Sequence, residues 1–397
     1  MLTIFFWLAM PPLFALAVIG GRRLRLLPIV SQLLVAGLLL PLLFVVLQGQ
    51  GFEVRTLVTA PWLRPLYDIG FALLLGHILS DVIDLDVSRQ SLKIALPSFA
   101  VPLACGMASA WWLLGVREGM SVLGIGLLFS ITAIPVLYLF LRNIEYPEDA
   151  TRRLMHAAVL MDLGCWSLFG LAQGSSDPSQ LVWPLLAGAG PLLLRLIGMR
   201  QHLVYSLPFF GLMIAFQHWH LNTLVFAITW LMAQAAVRQP FRLPVSPQAA
   251  LALQNNLLVP LVLAFGILQI DFHHALADYS WLYLGALLAL PVLSKLAGSW
   301  LGLRWALPGA SLGERWKESL LLNIRGLTEI VFLNLLFQQG YIDSLLYFSL
   351  LLMSLFATLL PALCGVRRPR AATATPPDYL SLSQDQAPAR SPSDARP

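Results

Sequence analysis

The chain has 397 residues, of which 58% are hydrophobic and 11% charged, with a mean hydropathy of +0.76. Soluble domains carry about 25% charged residues, so this chain can neither cover a large water-soluble core nor remain disordered. Its net charge of +5 does not call for nucleic acid, because polytopic membrane proteins collect lysine and arginine on the cytoplasmic side.

The apolar runs are long enough to cross a hydrocarbon core about 30 Å thick as helices, whereas a barrel would show alternating runs of about ten residues. The chain therefore reads as an all-α polytopic membrane protein. Its first run, MLTIFFWLAMPPLFALAVIG, has no basic residue ahead of it and Arg22, Arg23 and Arg25 behind it. That is the reverse of a cleavable signal peptide, and it predicts a first span over 2–20 with the N-terminus outside. Further spans are predicted over 27–48, 62–83, 93–115, 121–141, 154–173, 181–199, 202–217, 219–237, 249–270, 279–303, 317–338 and 343–365. Hydropathy alone allows twelve, because the stretch from 199 to 222 bounds its spans poorly.

Charge favours thirteen. With that count one set of alternate loops and the C-terminus hold Arg22, Arg23, Arg25, Arg89, Lys93, Arg142, Arg152, Arg153, Arg200, Arg238, Arg242, Arg304, Arg315, Lys317, Arg367, Arg368 and Arg370. The opposite loops hold only Arg55, Arg64 and Arg117. This asymmetry places the C-terminus inside, in a multi-pass protein of the cell (inner or plasma) membrane. Cys105, Cys165 and Cys364 fall in apolar runs and imply no disulfide framework. Residues 366–397, rich in proline, serine and alanine, read as a disordered cytoplasmic tail behind a transmembrane domain over 1–365.

An ionisable side chain at mid-bilayer costs about 2.5–3.5 kcal/mol on insertion scales, so each one needs a reason. Asp162 lies near the middle of span 154–173, where an acid is a functional candidate; the alternative is a buried packing hydrogen bond. Lys295 lies a turn past the centre of span 279–303, and could instead snorkel to the interface. Arg325 and Glu329, four residues apart on one helix face, could form a self-neutralising pair. Asp81 sits close enough to the headgroups to be solvated. His218, His220, His273 and His274 fall at loops and helix ends with no carboxylate or cysteine clustered around them, so no metal site is expected.

Two spans carry backbone-breaking signals at depth. In span 121–141, Pro135 follows Ser130 and Thr132, and proline removes a donor and frees main-chain oxygens. In span 317–338, Asn323 and Gly326 sit beside Arg325 and Thr328. Interrupted helices at corresponding places in two halves point to a transporter binding site; for Pro135 alone, a kinked packing helix is the alternative.

At these residues the chain resembles the monovalent cation/proton antiporters, particularly the bacterial Kef-like and sodium/proton exchanger branch. The stretch SITAIPVLYLFLRNIEYPEDATRRLMHAAVLMDLGCW (130–166) is similar to that family's first broken helix, cytoplasmic loop and acidic helix. The stretch LLNIRGLTEIVFLNLLFQQGYI (321–342) resembles its second broken helix. Weaker similarity runs through 23–40, 67–86, 255–271 and 291–302, and order and spacing agree over nearly all of 1–365. The resemblance implies an inverted-repeat fold in which the two broken helices cross near the midplane, a moving bundle, and a scaffold that forms a homodimer. Carried over residue by residue, it implies that Asp162 binds the ion and proton, assisted by Thr132 and Ser130, and that Lys295 is its charge partner. Pro135, Asn323, Arg325 and Glu329 are then structural parts of the crossing. The family pattern has Asp or Asn where this chain has Met161. A thioether is a poor ligand for a hard cation, so the ion stoichiometry and the retention of transport stay open.

The expected function is exchange of Na+ or K+ for H+ by alternating access at a buried carboxylate. The alternatives are a sodium-coupled organic-anion transporter and a non-transporting membrane sensor descended from an exchanger. No catalysis, cofactor or nucleic-acid partner is expected, and membrane lipid is the expected surroundings.

Overall fold

A computed structural model describes residues 2–23, 28–49, 54–57, 59–82, 88–174, 179–199, 201–219, 221–237, 239, 246, 249, 252–269 and 281–366. The expected tail over 366–397, apart from the buried Val366, lies outside the described residues, as do His220, His273 and His274. Within the described residues, each predicted span lies mainly on helix. In chain order these are α1 (Leu2–Arg23), α2 (Pro28–Leu34), α3 (Leu40–Gly49), α4 (Leu63–Val82), α5 (Arg89–Trp112), α6 (Gly119–Ser130), α7 (Ile134–Asn143) and α8 (Glu148–Gly174). They continue as α9 (Ser179–Gly188), α10 (Gly190–Leu196), α11 (His202–His218), α12 (Thr223–Ala236), α13 (Val259–Leu268), α14 (Trp281–Ala306), α15 (Leu312–Leu322), α16 (Leu327–Gln338) and α17 (Ser344–Leu363). Short π-helical stretches, Val35–Leu39 and Gln254–Leu258, join α2 to α3 and lead into α13. Among the described residues, six helices are by themselves long and apolar enough to cross a membrane, and the other apolar helices are shorter.

Helix starts are set by local polar residues. Ser88 caps α5 by accepting from Ser91 N at 3.1 Å, and Asn222 caps α12 by accepting from Val225 N at 3.1 Å. Asp343 caps α17 through Leu346 N at 2.7 Å. At α15, Ser311 and Glu314 form a reciprocal capping box, which satisfies two amides that the first turn leaves free.

α5, α6, α7, α8, α14, α15, α16 and α17 form one bundle, with α5 against α14 as its most extensive contact. Gly298 and Gly302 on α14 make that approach close: a Cβ on either would run into the carbonyls of Pro97 and Ile94 on α5. Small residues one turn apart allow backbones to touch where no hydrophobic force drives helices together. The polarity of the molecule is turned outside in. Phe5, Leu8, Leu42 and Leu196 are exposed, while Asp162, Lys295, Arg325 and Glu329 are fully buried.

Candidate functional site

Two of the spans break where the sequence signals lie. α6 ends at Ser130, the chain runs extended at Ile131 and Ala133, and α7 begins at Ile134. α15 ends at Leu322 and α16 begins at Leu327, leaving 323–326 outside both. The two gaps touch. Ala133 N donates to Ile324 O at 3.0 Å, and Thr132 Oγ1 donates to Leu322 O at 3.1 Å.

A broken helix ends in carbonyls without partners, and at α6 each of them is met. Leu127 O accepts from Ile131 N at 3.1 Å. Arg325 gives Nη1 to Leu128 O at 2.6 Å and Nη2 to Phe129 O at 2.8 Å. Ser130 O accepts from Lys295 Nζ. Both deep cations therefore sit at the carbonyl end of one half-helix, where the dipole favours positive charge. Arg325 Nη1 also pairs with Glu329 Oε1 at 2.8 Å, and Glu329 stands in the first turn of α16, the end that favours an acid. Thr358 on α17 donates Oγ1 to Arg325 O at 2.6 Å.

Asp162 projects from the middle of α8 to the same place. Its Oδ1 accepts from Thr132 N at 3.4 Å, and its Oδ2 is buried with no hydrogen-bond partner. Such an oxygen offers a lone pair to a proton or to a dehydrated cation, and leaving it empty and charged is costly.

Several expectations change in detail. Pro135 does not kink a continuous helix. It stands in the first turn of α7, where a missing N–H is no loss, and the break precedes it. The Ser130 hydroxyl turns away from Asp162 and donates to Phe99 O at 3.0 Å and Gly126 O at 3.2 Å; what it presents to the site is its main-chain carbonyl. Thr132 likewise meets Asp162 through its main-chain N–H. Lys295 does not snorkel, since none of it is exposed. Its ammonium lies on Ser130 O and 3.4 Å from Met161 Sδ rather than in direct contact with Asp162, though the two are near enough for their charges to interact. Arg325 and Glu329 do pair, yet the pair also clamps α6. Asn323 is buried with both side-chain polar atoms unpartnered.

Sequence reasoning missed Thr358, whose only signal was a polar residue with Ser354 one turn before it in an apolar run. It also counted Arg153 as a loop charge. Arg153 Nη2 pairs with Glu318 Oε1 at 2.7 Å, tying the start of α8 to α15. Tyr146, in the preceding loop, is pushed above the usual phenol range first by burial and then by the charge of Glu318.

No family model matches the chain. A stretch of 164 residues is 27% identical to Cation/H(+) antiporter 19 of Arabidopsis thaliana, covering 39% of this chain and 20% of that protein. The match thus spans about a fifth of the relative's length. The structure is similar to the sodium proton antiporter MjNhaP1 from Methanocaldococcus jannaschii at TM-score 0.61 and 15% identity, over 91% of this chain and 98% of that one. At that identity the likeness speaks for the fold, which is an all-helical, multi-pass membrane fold. Both matches support the resemblance to the monovalent cation/proton antiporters.

Proposed function

We propose that this chain is a membrane transporter that exchanges a monovalent cation, Na+ or K+, for protons by alternating access, with Asp162 as the carboxylate both ions share. The observation that carries this reading is the free Asp162 Oδ2, fully buried beside the contact of two interrupted helices. A proton or a cation on that oxygen neutralises the site, and the neutral site crosses the low-dielectric barrier more cheaply than the bare anion. Coupling follows if the bundle moves only when Asp162 is occupied. Hard cations take oxygen ligands, and Asn323 Oδ1 is an unpartnered oxygen on the adjoining break. The arginine-rich loops face the cytoplasm in this reading, and two chains form the transporter.

The test is proton flux in proteoliposomes after Na+, K+ or Li+ is added across an imposed pH gradient. Cation-dependent flux is expected in the native chain and at least hundredfold less in Asp162→Asn at equal incorporation. Flux that survives unchanged in that variant would sink the proposal.

A further inference from the structure

Away from the crossing, one buried seam is built from polar groups that it leaves unsatisfied. α4 and α13 meet α16 there, and α16 packs on α17. In this seam stand Tyr67 on α4, Gly266 on α13, Asn334 and Gln338 on α16, and Tyr347 on α17. Tyr67, Asn334 and Tyr347 are buried. Tyr67 Oη, Tyr347 Oη and Asn334 Oδ1 make no well-formed hydrogen bond, although Gln338 lies beside Tyr67 and Asn334 beside Tyr347. Asn334 uses only its amide nitrogen, which donates to Ile330 O at 3.0 Å.

The convergence is made by Gly266. A Cβ at that position would collide with both Tyr347 Oη and Asn334 Oδ1. Aromatic contacts hold the phenols in place: Tyr67 stacks on Phe265 at 4.2 Å between ring centroids, and Tyr347 packs at a tilt against Phe337 at 4.9 Å. Buried polar groups in native structures are ordinarily bonded. Two of the three, Tyr347 Oη and Asn334 Oδ1, meet at Gly266, and Tyr67 stands beside Tyr347.

Position gives the seam its direction. Gln338 is the exposed last residue of α16, and Asn334 lies one turn deeper on the same face. α16 begins at the crossing, about 10 Å below Asn334 at 1.5 Å per residue. Tyr67, Gly266 and Tyr347 all lie within four residues of helix ends on that same side. That side is opposite the arginine-rich loops.

We propose that Tyr67, Asn334, Gln338 and Tyr347 line the portal through which water and the hydrated monovalent cation reach Asp162 from the face opposite the arginine-rich loops. Gly266 is the point at which this portal closes. The cargo rests on the exchange reading above. When α4 and α13 draw apart from α16 and α17, the phenols and the amide gain water, and their neutral oxygens suit a hard cation in passage without trapping it.

Two experiments test this. In a Cys364→Ser parent, Asn334→Cys is exposed to a membrane-impermeant maleimide from each face of sealed vesicles, with Gln338→Cys as the control for the face in question. Labelling of Asn334→Cys is expected from the Gln338 face at least tenfold faster than from the other. No labelling from that face, or labelling only from the other, overturns the portal. This readout needs no transport, so a chain that labels as expected but moves no cation would overturn the exchange reading and keep the portal. In the second experiment, Gly266→Val and Tyr347→Phe are compared in the flux assay and by thermal melting. The portal predicts that Gly266→Val loses at least tenfold of flux, and that Tyr347→Phe slows flux while melting no lower. A purely packing role predicts unchanged flux in Tyr347→Phe, and that result overturns the assignment of the hydroxyl.

Discussion

A guanidinium with no exposed surface has to be met by as many acceptors as the fold can bring, and Arg325 is met by two main-chain carbonyls and one carboxylate. Its planar fork suits three acceptors at fixed angles; a lysine ammonium in its place would reach fewer. Arg325→Leu leaves Glu329 buried and uncompensated as well as two open carbonyls, and removal of one partner of a buried pair costs about 3–5 kcal/mol. The expected result is a chain that melts much earlier in detergent, with part of the loss recovered when Glu329→Gln is added. If the double variant melts no higher than Arg325→Leu, the charge of Glu329 is not the source of the cost. At the water-facing end of α15 the sign of a pH effect is fixed by the capping box. The Ser311 amide and hydroxyl hold Glu314 below the usual carboxylate range. A lowered folded value means that the stabilisation is present above the unfolded carboxylate value, about 4.3, and is lost as pH falls through the folded one. Glu314→Gln should therefore melt earlier than the native chain at pH 7 and together with it in strong acid.

Each half-helix at the crossing presents a charged end, and the neighbouring elements supply the opposite sign. α6 ends on two cations, α16 starts with an acid, and the break before α7 gives a main-chain N–H to Asp162. Thr132 spans both breaks, with its N–H on Asp162 and its hydroxyl on Leu322 O. Thr132→Val removes only the second bond, leaving a buried carbonyl unmet at a cost of about 1–3 kcal/mol. The variant should melt earlier by several degrees and lose flux, while the main-chain bond to Asp162 is retained; unchanged flux and melting would show that the two breaks do not need this link. Such features were unevenly legible in the sequence. The helical segments, the two breaks and the deep charges could be read from apolar run lengths, from Pro135, Asn323 and Gly326, and from the rarity of charge at depth. The partners of those charges could not. The acceptors for Arg325 and Lys295 are main-chain carbonyls, which any residue carries, so Leu128, Phe129 and Ser130 gave no sign of their use. The direction of the Ser130 hydroxyl is set by packing against α5 and has no local signature either. Thr358 and the Arg153–Glu318 pair depend on contacts across more than thirty positions of chain, which spacing alone does not encode.

At the scale of the molecule, the charges divide on the proposed reading into those that orient the chain and those that act at the site. The arginine-rich loops belong to the first group, and reporters fused at positions 55 and 117 should be accessible on one face and one at 152 on the other; a shared face for all three would undo the orientation. On the exchange reading proposed above, the second group decides what each cycle carries. Asp162 is neutral with a proton and neutral with one monovalent cation, so an exchange through it alone moves no net charge. Lys295 does not alter this sum while its ammonium stays on Ser130 O and beside Met161 Sδ, 3.4 Å away, because a thioether has no proton to exchange. The native chain should then show cation-driven proton flux that changes less than twofold when a membrane potential is imposed. Met161→Asp puts a second carboxylate against that ammonium and gives the site one more proton to release, so the same potential should drive flux in the variant. A native flux that follows the imposed potential would mean that Lys295 releases its proton during the cycle, and that the site carries charge even with methionine beside it.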